Sequence, residues 1–144
     1  LQIGSENGIN TLYLTAPYTD AQCCALCTEQ DDITAARKIY TDWGRKIEII
    51  EKLDLPDNRS KFDCIVINFS KQTHLPDGLD RYIVSVSHEN TFVIVKGIRT
   101  NRRTKTLWRS MANIEGRTAM LDLFNIGIIF FDKSLYRWEY QISF

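Results

Sequence analysis

Short apolar runs recur along this chain, separated by stretches whose apolar residues have helical spacing. That alternation constrains the fold more than any other feature. Residues 23–27, 46–50, 62–68 and 91–95 read as strands, and residues 23–27 and 62–68 are apolar on successive positions, as strands covered on both faces are. Between them Ile33, Ala36, Tyr40 and Trp43 mark one face of a helix, with Asp31 or Asp32 as its cap and Gly44 as its left-handed stop. Residues 9–16 form a shorter helix ended by Pro17, and residues 56–58 form a turn. Residues 79–86 carry the strand formers Tyr82, Ile83, Val84 and Val86, but a parallel strand following at 91–95 needs a crossover, which decides for helix. A basic helix over 102–111, a hairpin-like pair at 117–123 and 127–132, and an edge strand over 138–144 complete the chain. The pattern predicts one α/β domain spanning residues 1–144, without repeat or linker.

The 144 residues suffice for a sizeable core, and 44% hydrophobic with 25% charged content excludes a disordered chain. No run approaches the ~20 apolar residues of a membrane helix, and no secretory leader is visible. The sequence opens Leu-Gln-Ile-Gly, inside its first strand and without Met, so a missing preceding segment is expected. Net charge is +0, which gives no global reason to expect nucleic acid or an anionic membrane as partner. The total hides an asymmetry: residues 1–72 carry 8 basic and 11 acidic side chains, residues 73–144 carry 10 and 7. Lys96, Arg99, Arg102, Arg103, Lys105 and Arg109 fall in fourteen residues without an acid. Only Trp108 interleaves them, so a solvated helix face is expected rather than a nucleic-acid surface. Trp43, Trp108 and Trp138 are expected to pack in the core or between helices. Cys23, Cys24, Cys27 and Cys64 lack metal-ligand spacing to His74 or His88 and read as reduced packing residues of a cytoplasmic protein, with no metal expected.

Chemistry concentrates at a glycine-bearing turn. Gly4 and Gly8 flank Ser5-Glu6-Asn7 between the first strand and the first helix, where open α/β sheets admit ligands. Glu29 follows Gly8 by 21 residues, at the end of the Cys-rich strand, the spacing at which a carboxylate grips ribose hydroxyls. Asn68-Phe69-Ser70-Lys71 leaves the C-terminal end of another strand, a position that suits an active-site residue or a plain loop exit equally.

Leu1-Gln2-Ile3-Gly4-Ser5-Glu6-Asn7-Gly8-Ile9-Asn10-Thr11 resembles the first motif of class I S-adenosylmethionine-dependent methyltransferases. Ile98, Trp108 and the run from Leu121 to Phe131 are similar to the last third of that group. The resemblance implies a Rossmann-like, mostly parallel seven-stranded sheet with an antiparallel strand near the C-terminus and helices on both faces. It implies S-adenosylmethionine as a small-molecule cofactor, held by Gly4, Ser5, Gly8 and Glu29, with Asn68 near the transferred methyl. Neither the methyl acceptor nor any catalytic side chain is named by it, since methyl transfer is a displacement that needs alignment above all.

The departures from the family pattern remove negative charge. Gln2 stands where the family has an acid, Asn68 where an Asp is expected, and Lys96-Gly97 where an acidic pair is expected; the acid ending the second strand falls on Cys27 or Glu29 according to register. A like charge about 4 Å from a sulfonium costs on the order of 4 kcal/mol at a surface-like dielectric. These substitutions support a second reading, an inactive member of the fold kept for interaction or for binding an anionic nucleotide through Lys96 and Arg99.

Overall fold

The computed structural model describes residues 1–4, 8–18, 20–27, 29–51, 61–69 and 78–142. They fall into two units, residues 1–54 and 55–144.

In the first unit, β1 (Gln2–Ile3), β2 (Cys23–Leu26) and β3 (Ile47–Ile50) are parallel in the order β3-β2-β1. The crossovers carry α1 (Ile9–Thr15) and α2 (Gln30–Asp42). The apolar stripe of α2 behaves as its spacing dictates: Ile33, Ala36 and Tyr40 are buried with Cys27 and pack on Leu12, Ile39, Ile47 and Ile49. Three details differ from expectation. Glu29, not an aspartate, occupies the N-cap position of α2, without a side-chain capping hydrogen bond; Asp31 and Asp32 lie inside the first turn, near the positive end of the helix dipole. Trp43 is exposed, because the helix ends at Asp42 and the next residue leaves the stripe. Cys23 and Cys24 are half-buried, since the two-residue β1 flanks β2 only at Ala25 and Leu26. Gly44 takes the left-handed conformation that ends the helix, at φ 62°. Next to it the Arg45 guanidinium donates to the carbonyls of Ala16 (3.2 Å) and Tyr18 (3.3 Å), closing the far end of α1.

In the second unit the strand order is β4-β5-β7-β6-β8: β4 (Cys64–Asn68), β5 (Phe92–Lys96), β6 (Ala119–Leu123), β7 (Ile126–Phe130) and β8 (Trp138–Gln141). The crossover between the parallel β4 and β5 is the helix α3 (Leu79–Val86), as topology required. Antiparallel pairing is confined to β7, against β5 and β6, and β8 returns parallel to β6. Ile65, Ile67, Val93, Val95 and Ile129 are fully buried and form the core on one face. There α4 (Arg102–Ala112) starts in a reciprocal capping box between Asn101 and Thr104 and lays Trp108 on the sheet. Gly127 is the mid-strand position that admits the indole, because any Cβ there would overlap the Trp108 ring. Trp108 is core, as expected; Trp138 is not. It lies exposed on β8 with its ring stacked on Tyr140 at 6.2 Å, because β8 has a strand on one side only.

Eight strands, parallel except around β7, and four helices among the described residues make this a Rossmann-like α/β fold. The strand beyond the seven implied by the resemblance is β8, the edge strand read from residues 138–144. Among the described residues no helix is long and apolar enough to cross a membrane.

Candidate functional site

The glycine turn begins where β1 and β2 end together. Ile3 pairs with Leu26 in parallel register, so Gly4 and Cys27 leave the sheet side by side, and Glu29 follows two residues later. Gly4 is buried with φ 76°, a left-handed conformation that a side chain would strain. Glu29 is exposed, with extended backbone, and its carboxylate makes no capping hydrogen bond. The first unit thus brings Gly4 and Glu29 to the carboxyl end of adjacent strands. Ser5 lies outside the described residues, as do Ser70, Lys71, His74 and the turn at 56–58.

Gly8 serves a purpose the sequence did not indicate. It precedes α1 at φ 83°, and a Cβ built there would stand 2.7 Å from Cε1 and 2.8 Å from the hydroxyl of Tyr40. The glycine therefore makes room for the α2 tyrosine as well as turning the chain. The Tyr40 hydroxyl donates to Thr11 Oγ1 at 3.3 Å, the Thr11 hydroxyl donates to Gln2 Oε1, and Thr15 Oγ1 donates to the Thr11 carbonyl at 2.8 Å. This network accommodates the buried Gln2, whose amide oxygen receives a neutral hydroxyl. Burial pushes the Tyr40 phenol above its ordinary pKa; the Thr11 hydrogen bond opposes this more weakly.

In the second unit Asn68 is buried at the carboxyl end of β4, paired in register with Lys96, and the Phe69 N–H donates to the Lys96 carbonyl at 2.8 Å. The described residues give the Lys96 ammonium no ion pair. Arg99 is committed instead. Its guanidinium bridges both oxygens of the buried Asp122, at 2.5 and 2.9 Å, also donates to the Phe124 carbonyl, and lies over the Phe124 ring at 5.7 Å. The hydrogen bond that Arg99 donates to Asp122 raises the Arg99 pKa further. Asp122 Oδ2 accepts from Trp108 Nε1 at 3.2 Å as well, so one carboxylate joins β6, α4 and the loop after β5. Of the two cations suited to phosphate, Lys96 alone has no such partner. Sequence reasoning missed this triad, although a glycine inside a strand pattern at 127 is the mark of a close approach.

Arg102, Lys105 and Arg109 lie on the exposed face of α4, the solvated arrangement expected. His88 Nε2 lies 3.2 Å from Asp63 and its Nδ1 accepts from the Asn90 N–H, a contact that ties the turn before β5. All four cysteines are thiols, and burial raises the pKa of Cys23. Among the described residues no three His, Cys, Asp or Glu side chains gather as a metal site would require.

No family model matches the chain. No curated protein matches it in sequence. Solved structures do match in fold. The ribosomal protein L11 methylase of Lactobacillus delbrueckii subsp. bulgaricus superposes with TM-score 0.60 at 18% identity, over 89% of this chain and 65% of its own. An SAH-bound methyltransferase of Podospora anserina gives TM-score 0.60 at 16% identity, over 90% and 69%. The precorrin-6y C5,15-methyltransferase of Geobacter metallireducens gives 0.65 at 12%, over 89% and 75%. The chain spans less than two thirds of the length of the L11 methylase it matches. At these identities the likeness is one of architecture, and the chain carries the Rossmann-like fold of S-adenosylmethionine-dependent methyltransferases.

Proposed function

We propose that residues 1–144 are a single domain forming the cofactor-binding core of an S-adenosylmethionine-dependent methyltransferase that works in the reducing cytoplasm. The observation that carries this is the pairing of a left-handed, buried Gly4 with the uncapped carboxylate of Glu29 at adjacent strand ends, within the fold shared with methyltransferases. Gly4 and Ser5 bring backbone close to the cofactor, Gly8 fixes the turn through Tyr40, Glu29 accepts from the ribose hydroxyls, and Asn68 is assigned to the same cofactor.

These residues suit the group: a carboxylate and carbonyl oxygens favour a ligand that carries hydroxyl donors and positive charge. When bound, S-adenosylmethionine supplies an electrophilic methyl on a sulfonium. The protein's share is binding and orientation, because displacement at that methyl needs an aligned acceptor above all. The four thiols agree with a reducing setting.

Calorimetry with S-adenosylhomocysteine tests the reading. Binding is expected, with Glu29→Ala weakening it roughly tenfold or more, the scale of a hydrogen bond to a charged group. No heat at millimolar ligand would sink the proposal. The inactive, nucleotide-binding alternative loses Arg99, which Asp122 holds.

A further inference from the structure

Because β7 is antiparallel to both β5 and β6, the strands β4, β5 and β6 run in one direction, and Asn68, Lys96 and Leu123 end them on the same side of the sheet. That is the carboxyl side, where open α/β sheets admit ligands. The two-residue connection from β6 to β7, Phe124-Asn125, stands there as well. Phe124 has φ 64° and is the only non-glycine among the described residues with a positive φ. A tight hairpin with positive φ at its first central position ordinarily takes glycine there, because a Cβ is strained in the left-handed region. The Asn125 N–H donates back to the Leu123 carbonyl at 2.8 Å, so the chain reverses as sharply as a three-residue turn, a rare and strained form when its centre has positive φ. The phenyl ring is 61% exposed, so burial offsets little of that strain.

Neighbouring backbone imposes this conformation. The Asn125 carbonyl accepts from the N–H groups of Gly97 (2.8 Å) and Ile98 (3.3 Å), and the Phe124 carbonyl accepts from the Arg99 guanidinium, which Asp122 clamps. Strain that the surroundings over-determine, at a residue whose apolar ring faces solvent, marks function rather than packing. The chemistry of the tip says which function. Arg99 lies over the Phe124 ring, 5.7 Å from its centroid, and takes one face. A cation there draws the π electrons toward itself and leaves the opposite face suited to an electron-rich ring. Lys96 is half-buried and pairs in register with Ile126, two residues beyond Phe124; its ammonium has no ion pair among the described residues. We infer that the Phe124 tip determines acceptor specificity, holding a planar aromatic ring against Phe124 with an anionic substituent toward Lys96. The inference rests on the methyltransferase reading for the role of that ring, yet it uses none of Gly4, Ser5, Gly8 or Glu29.

The test titrates 4-hydroxybenzoate, and separately its uncharged amide, into isotope-labelled chain 1–144 with S-adenosylhomocysteine present, and reads amide shifts by NMR. The acid should bind at roughly millimolar concentration, as a fragment of its size does, and shift the amides of Gly97, Phe124 and Asn125. The amide should bind roughly fivefold more weakly, and Lys96→Gln should remove that preference. Phe124→Gly should weaken the acid roughly fivefold or more without lowering the melting temperature, because glycine suits the turn, and Phe124→Tyr should retain binding. Trp43→Ala, at an exposed aromatic of the first unit, should leave the acid's affinity unchanged. Calorimetry of S-adenosylhomocysteine separates the two readings. A chain that binds it but not the acid, or that keeps the preference in Lys96→Gln, overturns this inference alone; a chain that does not bind it removes the methyltransferase reading. A melting temperature that falls by several degrees in Phe124→Gly assigns the ring to the fold and overturns the inference. So does self-association in sedimentation that Phe124→Gly abolishes, since the ring would then be a contact between copies.

Discussion

Gly8 shows how much a residue with no side chain can be asked to do. Its positive φ and the Tyr40 ring against its Cα each exclude a Cβ for separate reasons. Gly8→Ala should cost about 2–4 kcal/mol, combining left-handed strain with overpacking, as read from urea unfolding. With Tyr40→Leu in the background the packing part disappears, so the double mutant should show a coupling of about 1 kcal/mol or more. The same tyrosine sets a pH response. Its phenol is held above the ordinary value of 10.0 by burial, so the unfolded chain ionises first. The stability it contributes is complete below pH 10 and is lost as pH rises through the higher folded value. Tyr40→Phe should flatten the alkaline limb of a stability–pH curve; a limb of unchanged slope would show that another group governs it. At this scale the sequence marked the glycine turn but not the packing that Gly8 serves. Gly4, Gly8 and Glu29 were visible from spacing, whereas the contact between Gly8 and Tyr40 joins residues thirty-two positions apart and leaves no local pattern.

Elements were legible where periodicity is strong and packing follows it. The stripe of α2 and the buried runs of β4 and β5 needed no tertiary information, and α3 was settled by topology against its own β-branched residues. What failed were the ends. Trp43 was assigned to the stripe of a helix that ends one residue earlier, and Cys23 and Cys24 to a burial that a two-residue β1 cannot provide. The N-terminus of α4 offers a direct test of element electrostatics. It carries no acid in its first turn and opens on two arginines, cations at the positive end of a helix dipole. Arg102→Glu, at an exposed position, should therefore stabilise the protein by about 0.3–1 kcal/mol at low ionic strength, an increment that added salt should erase. Thermal melts at two salt concentrations would measure both parts.

At the scale of the whole chain, the fold was readable because the order of strands and crossovers agrees with one architecture. The family resemblance and the solved structures meet on that architecture. The neutral net charge includes local commitments, Arg99 to Asp122 and Arg117 to Glu139, while Lys96 has no acid partner among the described residues. The Arg117 pair has a dynamic consequence. Arg117 is buried, its Nε and Nη1 make no hydrogen bond, and its one acceptor, Glu139, belongs to the exposed strand β8. Opening that strand leaves the buried guanidinium without its carboxylate acceptor, which costs about 1–3 kcal/mol, the scale of a hydrogen bond to a charged group left unmade. The strand with the least burial is therefore latched at its middle, and its amides should exchange with solvent far more slowly than their exposure suggests. Glu139→Gln should release the latch and speed hydrogen exchange across Trp138–Gln141, while the amides of β5 keep their rates.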